Sequence, residues 1–240
     1  MDWSRVKTIL IIALLLTNVF LIATLDLGRP AENEVEDESV LIGMLEEHGI
    51  FVDTEIPKVQ EDMGTVVVKY ADLDDDYIKA MMAEVRLNTR NELTEASYKN
   101  AADKFLEDIG LYTDSVNIET ISVNGSGADV YYNNVVDGVK FDGCCIRCSF
   151  RGDRMTDFEY EWFIPVSVSG KMSTISASVA LMRFMSEHDA SQEVHINNIE
   201  AVYWLEESEE NDAVVTDTAF AYWKISYNES EAKYIIAYEQ

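Results

Sequence analysis

Three cysteines lie close together in the second half of the chain: Cys144, Cys145 and Cys148. The segment 141–150 around them alternates as a strand does, so neighbouring residues face opposite sides. Cys144 and Cys148 then share an apolar face and are roughly 13 Å apart, beyond the reach of a disulfide. A zinc site needs a fourth ligand and a turn, and the sequence offers neither. The pattern therefore predicts free thiols that are buried as small apolar side chains, and no metal.

A run of acids, Asp72 and 74–76, invites comparison with a calcium-binding loop. An EF-hand loop that began at Asp72 would need a glycine at its sixth position and a glutamate at its twelfth. Those positions hold Tyr77 and Ala83. The acids are better interpreted as the N-cap and first turn of a short helix.

Other residue types used in catalysis lack the spacing that catalysis requires. The three histidines have no carboxylate or cysteine at metal-ligand spacing. Glu159 and Glu161 alternate along a predicted strand and therefore face solvent instead of a cleft. The segment 170–173 lacks the first glycine of a phosphate-binding loop. The sequence predicts a protein that is not an enzyme and holds no cofactor.

The elements that carry these residues follow from hydrophobic periodicity. Helices are predicted at 40–48, at 74–83, from an N-cap at Thr94 to Ile109, and from an N-cap at Ser173. Strands are predicted at 66–70, 116–123, 129–134, 141–150, 157–162, 199–205, 219–227 and 234–238. A helix followed by antiparallel strands thus occurs at least twice, which predicts an α+β fold of repeated helix-plus-antiparallel-sheet units.

The charge balance excludes one class of partner. The chain has 45 acidic and 18 basic residues and a formal net charge of −27. Phosphates repel such a surface, so we expect no nucleic-acid binding. An acidic, solvated surface that keeps the domain soluble is the simplest interpretation.

The segment 6–25 is almost entirely apolar. About 20 such residues span the hydrocarbon core of a bilayer as a helix, and a cleaved signal peptide has a shorter apolar core. Arg5 and Lys7 lie at the N-terminal end of the span and acidic residues follow it, which places the N-terminus in the cytoplasm and the large domain outside. Trp3, Arg5 and Lys7 are predicted at the membrane interface. The predicted parts are a cytoplasmic 1–5, a transmembrane helix 6–27, an acidic linker 28–36 and ectodomain units 37–165 and 166–240.

Asn18 is the one side-chain amide in this span. An amide in lipid tends to bond to a neighbouring helix, although a helix also tolerates one asparagine without a partner. If a partner helix exists, the contact face follows from spacings of three and four residues. That face consists of Ile11, Leu14, Asn18, Leu21 and Leu25.

The first nine residues, MDWSRVKTI, and the apolar run holding Asn18 resemble the start of the YycI family. The closing segments AYWKI at 221–225 and YIIAYE at 234–239 are similar to the last strands of that family. The family comprises membrane-anchored accessory regulators of the WalK sensor histidine kinase. The resemblance implies a non-catalytic protein that pairs with a YycH-like protein and tunes a WalK-like kinase of the WalK/WalR two-component system at the cell membrane.

Two further classes of function remain beside this one. The first is an extracytoplasmic ligand-binding or protease-inhibiting module, which a deep apolar pocket with convergent polar groups would favour. The second is an envelope hydrolase, which would need a nucleophile with a base or paired carboxylates in a cleft. The sequence supports the regulator best and gives no support for the hydrolase.

Overall fold

The computed structural model describes residues 38–58, 62–88, 92–189, 192–206 and 216–238. The chain divides into two compact units between His48 and Gly49. In the first unit, helix α1 spans Glu38–Glu47, and the His48 ring bonds to the Met44 carbonyl oxygen at 2.9 Å. Everything described below belongs to the second unit.

Three helices of the second unit begin at capping side chains. They are α2 (Asp75–Glu84), α3 (Glu95–Asp108) and α4 (Ala177–Glu187). The caps are Asp74, Thr94 and Ser176, and each side chain accepts a hydrogen bond from a backbone N–H of the first turn. None of the helices among the described residues has the length and apolarity to cross a membrane.

Most of the second unit is β-structure. The strands are β1 (Ile50–Val52), β2 (Val66–Tyr70), β3 (Val116–Asn124), β4 (Gly127–Val136), β5 (Val139–Arg151), β6 (Arg154–Glu161), β7 (Phe163–Val168), β8 (Val194–Trp204), β9 (Thr216–Tyr227) and β10 (Glu231–Ile236). They form one sheet whose main order is β3-β4-β5-β8-β9-β2-β7. Off this path, β1 pairs with β8, β6 with β5 and β10 with β9.

Two strands join neighbours that are distant in sequence. Strand β5 pairs with β4 along one edge, and with β8 and then β6 along the other. Strand β8 pairs with β9 along one edge, and in parallel with β1 and β5 along the other. The β4–β5 and β5–β6 connections are tight hairpins, and Asp137 and Gly138 adopt φ of 51° and 85° at the first of them.

The helices pack on one side of the sheet, which we call the first face. Ring contacts join α3 to β5 through Tyr98 and Phe150, and α4 to β9 through Phe184 and Tyr227. Register and alternation place Tyr132, Ile146, Phe141, Tyr203 and Trp223 on this same face. All five are buried. The opposite side, the second face, carries Glu200, Tyr222, Lys224 and Tyr234.

The predicted fold is wrong in its architecture. An α+β arrangement of repeated helix-plus-antiparallel-sheet units would keep the sheets apart, whereas β5 pairs with β8 and β2 pairs with β9 in one mixed sheet. No described helix can span a bilayer, and the segment 6–27, predicted to do so, lies outside the described residues. The domain is mainly a ten-stranded sheet with helices packed on one face.

Two local predictions also need correction. The last helix begins after Ser176 instead of Ser173, and its buried residues are Ala177, Ala180, Leu181 and Phe184. The small side chains of Ala177 and Ala180 let this side of the helix approach the sheet closely. Strands β1 and β7 were not predicted, because each is short and lacks clean alternation.

Candidate functional site

A gap interrupts the sheet along one edge of β8. Strand β1 pairs with this edge as far as Ile196, and β5 begins to pair with it at Val202. The intervening residues 197–201 pair with no strand on that edge among the described residues. The Asp53 N–H still bonds to the Ile196 carbonyl oxygen at 2.8 Å, and the chain then leaves β8.

A cavity of about 440 Å³ lies at this gap. Its lining includes the consecutive residues Ile199, Glu200 and Ala201, and the consecutive residues 138–140 at the start of β5. Successive side chains of a strand point to opposite faces of the sheet. A cavity on one face alone would therefore contact every second residue, whereas a cavity at the edge of the strand contacts consecutive residues. The cavity therefore opens onto the free edge of β8.

The deeper wall of the cavity is apolar. Trp223, Met63, Ile199 and Ala237 line it, and each is 5% exposed or less. The indole N–H of Trp223 donates to the Ile175 carbonyl oxygen at 2.8 Å, which leaves the ring as an apolar surface with its polar group satisfied. The remaining lining residues are Pro57, Gly138, Val139, Lys140, Thr174, Glu200 and Ala201.

Two charged residues, Lys140 and Glu200, belong to the lining. The Lys140 Nζ lies 2.6 Å from Glu119 Oε1. Partial burial works to lower the pKa of Lys140, but the hydrogen bond to Glu119 and the nearby carboxylates of Glu119, Glu200 and Asp142 together raise it. Lys140 is thus a fixed cation held by acids.

A second cluster lies on the second face and depends on a bulge in β5. The register shifts between Asn133 and Asn134, and Gly143 adopts φ of 76° within the bulged residues. The bulge directs Asp142 across β8, where its Oδ1 accepts from Lys224 Nζ at 2.7 Å and its Oδ2 accepts from the Tyr234 hydroxyl. Asp142 is 8% exposed. Its contacts with Lys224 and Tyr234 therefore join β5 to β9 and β10 at a position that is largely shielded from solvent.

Two aromatic rings, Trp204 and Tyr222, pack near Tyr234, the hydroxyl partner of Asp142. Trp204 and Tyr234 stack with centroids 4.3 Å apart, and Tyr222 meets the Trp204 ring edge-on at 5.1 Å. Burial, the hydrogen bond to Asp142 and neighbouring carboxylates raise the pKa of Tyr234. The hydroxyl therefore stays protonated and donates to Asp142 throughout the neutral range.

The predicted environment of the cysteines is confirmed. Cys144 and Cys148 are buried and Cys145 is exposed, as strand alternation requires, and all three are free. Burial raises the pKa of Cys144 to about 12, although its sulfur accepts from the Phe163 N–H at 3.3 Å and from Asn134 Nδ2 at 3.6 Å. Burial also raises the pKa of the other two thiols. Within the described ranges, no group of three or more histidine, cysteine, aspartate or glutamate side chains could hold a metal ion.

The predicted partner-binding and membrane-interface residues are not among the described residues. The transmembrane contact face Ile11, Leu14, Asn18, Leu21 and Leu25 and the interface residues Trp3, Arg5 and Lys7 all lie outside the described residues.

The gap and the Asp142 cluster were missed from the sequence. For Asp142 a signal existed, because a glycine within an apolar strand, here Gly143, often marks a bulge that redirects its neighbours. For the gap none existed, because it depends on where two strands distant in sequence end along a third.

Comparison with known proteins adds little. No protein-family model matches the sequence, and no curated protein is significantly similar to it. Among solved structures, the chain is similar to an uncharacterized protein from Eubacterium rectale ATCC 33656. The TM-score is 0.44 at 10% identity, over 84% of this chain and 97% of that chain. A likeness at this level carries no argument about function.

Proposed function

We propose that the chain is a non-catalytic binding module that recognises its partner at the cavity beside β8. The observation that supports this most directly is the cavity itself, about 440 Å³ in volume with a buried apolar wall and charged residues at its lining. Ligand sites typically have volumes of about 300–1,000 Å³ and combine apolar walls with a few polar groups. This feature favours a binding function, either that of a ligand-binding module or that of a regulator that recognises a partner protein, over the hydrolase.

The chemistry of the lining supports a non-catalytic role. Catalysis by acyl or glycosyl transfer needs a nucleophile with a base, or two carboxylates that face the substrate. The described lining residues supply one carboxylate, Glu200, and one amine, Lys140. The Lys140 ammonium is already paired with Glu119 at 2.6 Å, so it is suited to fixing charge and not to proton transfer.

The partners we propose are a WalK-like sensor histidine kinase and a YycH-like protein, as the resemblance to the YycI family implies. Regulation would follow from differential binding, because a partner that fits one kinase state better shifts the equilibrium toward that state. A coupling of about 1.4 kcal/mol is enough for a tenfold shift. Regulation of this kind requires no chemistry at the cavity.

The test is a variant that fills the cavity. Ala201 lines it, so Ala201→Trp places a large ring there, whereas Ala232→Trp puts the same ring on an exposed position of β10 in the same sheet. The full-length chain is affinity-purified from membranes, and the kinase and YycH-like protein are quantified by immunoblot. We expect Ala201→Trp to reduce recovery at least tenfold and Ala232→Trp to leave it unchanged. Recovery at the wild-type level with both variants would refute the cavity as the recognition site.

A further inference from the structure

We infer that the cavity receives an extended peptide segment, which adds to the free edge of β8 as a short strand between β1 and β5. The inference rests on the proposed function and specifies the chemistry of the partner. It is carried by the backbone of residues 197–201, which has no neighbouring strand on this edge among the described residues and of which residues 199–201 line the cavity.

The edge has the composition and length of a strand acceptor. Strand β9 pairs with its other side at Ile196 and, after a bulge at Asn197, from Asn198 to Trp204, so the backbone of 198–201 is already held in an extended conformation. Alternate residues of a strand direct their N–H and C=O groups toward each edge, and an unpaired edge is a template for another chain. The four residues 198–201 at about 3.3 Å each span roughly 13 Å, which suits a guest strand of four or five residues.

The two sides of the guest strand would meet different surfaces. Guest side chains on the first face enter the apolar part of the cavity beside Ile199 and Trp223. Side chains on the second face lie toward Glu200, which is opposite Lys224 in the β8–β9 register. Alternate positions of the guest are therefore apolar, and the positions between them are polar.

Charge selects among such peptides. The whole chain carries a formal net charge of −27, and the Lys140 cation beside the cavity is already paired with Glu119. A guest with basic residues at the second-face positions is attracted by the overall field and by Glu200, whereas an acidic guest is repelled. The occupant that fits is an extended segment of a protein, alternately apolar and basic.

The first test uses the pentapeptide acetyl-Val-Lys-Val-Lys-Val-amide and calorimetric titration of the full chain. Two N-methylated forms are compared with it, one methylated at the lysines and one at the valines, because methylation removes backbone donors while side chains stay the same. Strand addition predicts that one form loses at least tenfold in affinity and the other stays within twofold, since only alternate N–H groups face β8. Equal affinity of both forms, or no binding of the parent peptide at millimolar concentration, overturns the inference.

The second test locates the peptide and separates this inference from the proposed function. Hydrogen exchange of amides in residues 197–201 should slow at least tenfold on peptide binding to the wild type and to Ala232→Trp, but not to Ala201→Trp. The pentapeptide with glutamates in place of lysines should give weaker protection. If Ala201→Trp loses the kinase while the peptide protects no amide in this segment, the binding module stands and strand addition is wrong. If Ala201→Trp keeps the kinase while the peptide protects these amides, the proposed partner site is wrong.

Discussion

Replacing Lys224 with methionine tests whether the ion pair between Lys224 and Asp142 on the second face stabilises the fold. Lys224→Met leaves the buried Asp142 carboxylate with only the neutral Tyr234 hydroxyl as a partner. Leaving a buried charge unpaired costs about 3–5 kcal/mol, and water reaches this site in part because Lys224 is 21% exposed. We therefore expect the free energy of unfolding to fall by about 2–3 kcal/mol. This is less than the full cost of an unpaired buried charge because water can partly solvate Asp142.

The assay is urea unfolding of the full chain at pH 7, followed by near-UV circular dichroism. Asp142→Asn combined with Lys224→Met removes both charges and should recover most of the loss. Lys233→Met is the matched control, since its ion pair with Glu187 is exposed and worth about 0–1 kcal/mol. A loss no larger with Lys224→Met than with Lys233→Met, or no recovery in the double variant, would refute the argument.

Three further outcomes are expected. Tyr132→Phe removes the hydroxyl that donates to Asp103 Oδ1 at 2.7 Å and should cost about 1.5–3 kcal/mol in urea unfolding; a change below about 0.5 kcal/mol would contradict this. Native alkylation followed by mass spectrometry should modify Cys145 well before the two buried thiols, and a disulfide in unreduced protein would contradict the strand placement. The hydrogen bond that the His195 ring donates to the Asp53 carboxylate raises the pKa of His195, so its NMR titration midpoint should lie above 6.5 and fall in Asp53→Asn. The stabilisation from the His195–Asp53 pair is complete below the pKa that His195 has in the unfolded chain, and it is lost as pH rises through the higher pKa of His195 in the folded protein. An unchanged titration midpoint in Asp53→Asn would contradict the assignment.

Local chemistry made the individual elements predictable. Thr94 caps α3 in a reciprocal capping box with Ser97, and Asp74 caps α2, as their residue types predicted. Alternation placed Cys144 and Cys148 on the buried side of β5. These features depend on residues a few positions apart, which a sequence displays directly.

The arrangement of the sheet and the site could not be predicted in the same way. Parallel pairing of β1 and β5 with β8 joins Ile50 to Val194 and Lys140 to Val202, and no local pattern encodes such partners. The cavity exists only because those two pairings leave part of β8 uncovered. Periodicity thus identified strands but assigned them to repeated units, since neighbours in sequence are the default partners.

The same long-range pairings govern the order in which the domain can assemble. Strands β3 to β6 form a meander of sequential neighbours, so its contacts need only short loop closures. Strands β1 and β2 instead find their partners in β8 and β9, more than a hundred residues later. During synthesis the N-terminal strands therefore wait with open edges until the C-terminal part of the chain has emerged, an interval in which such edges are prone to aggregation.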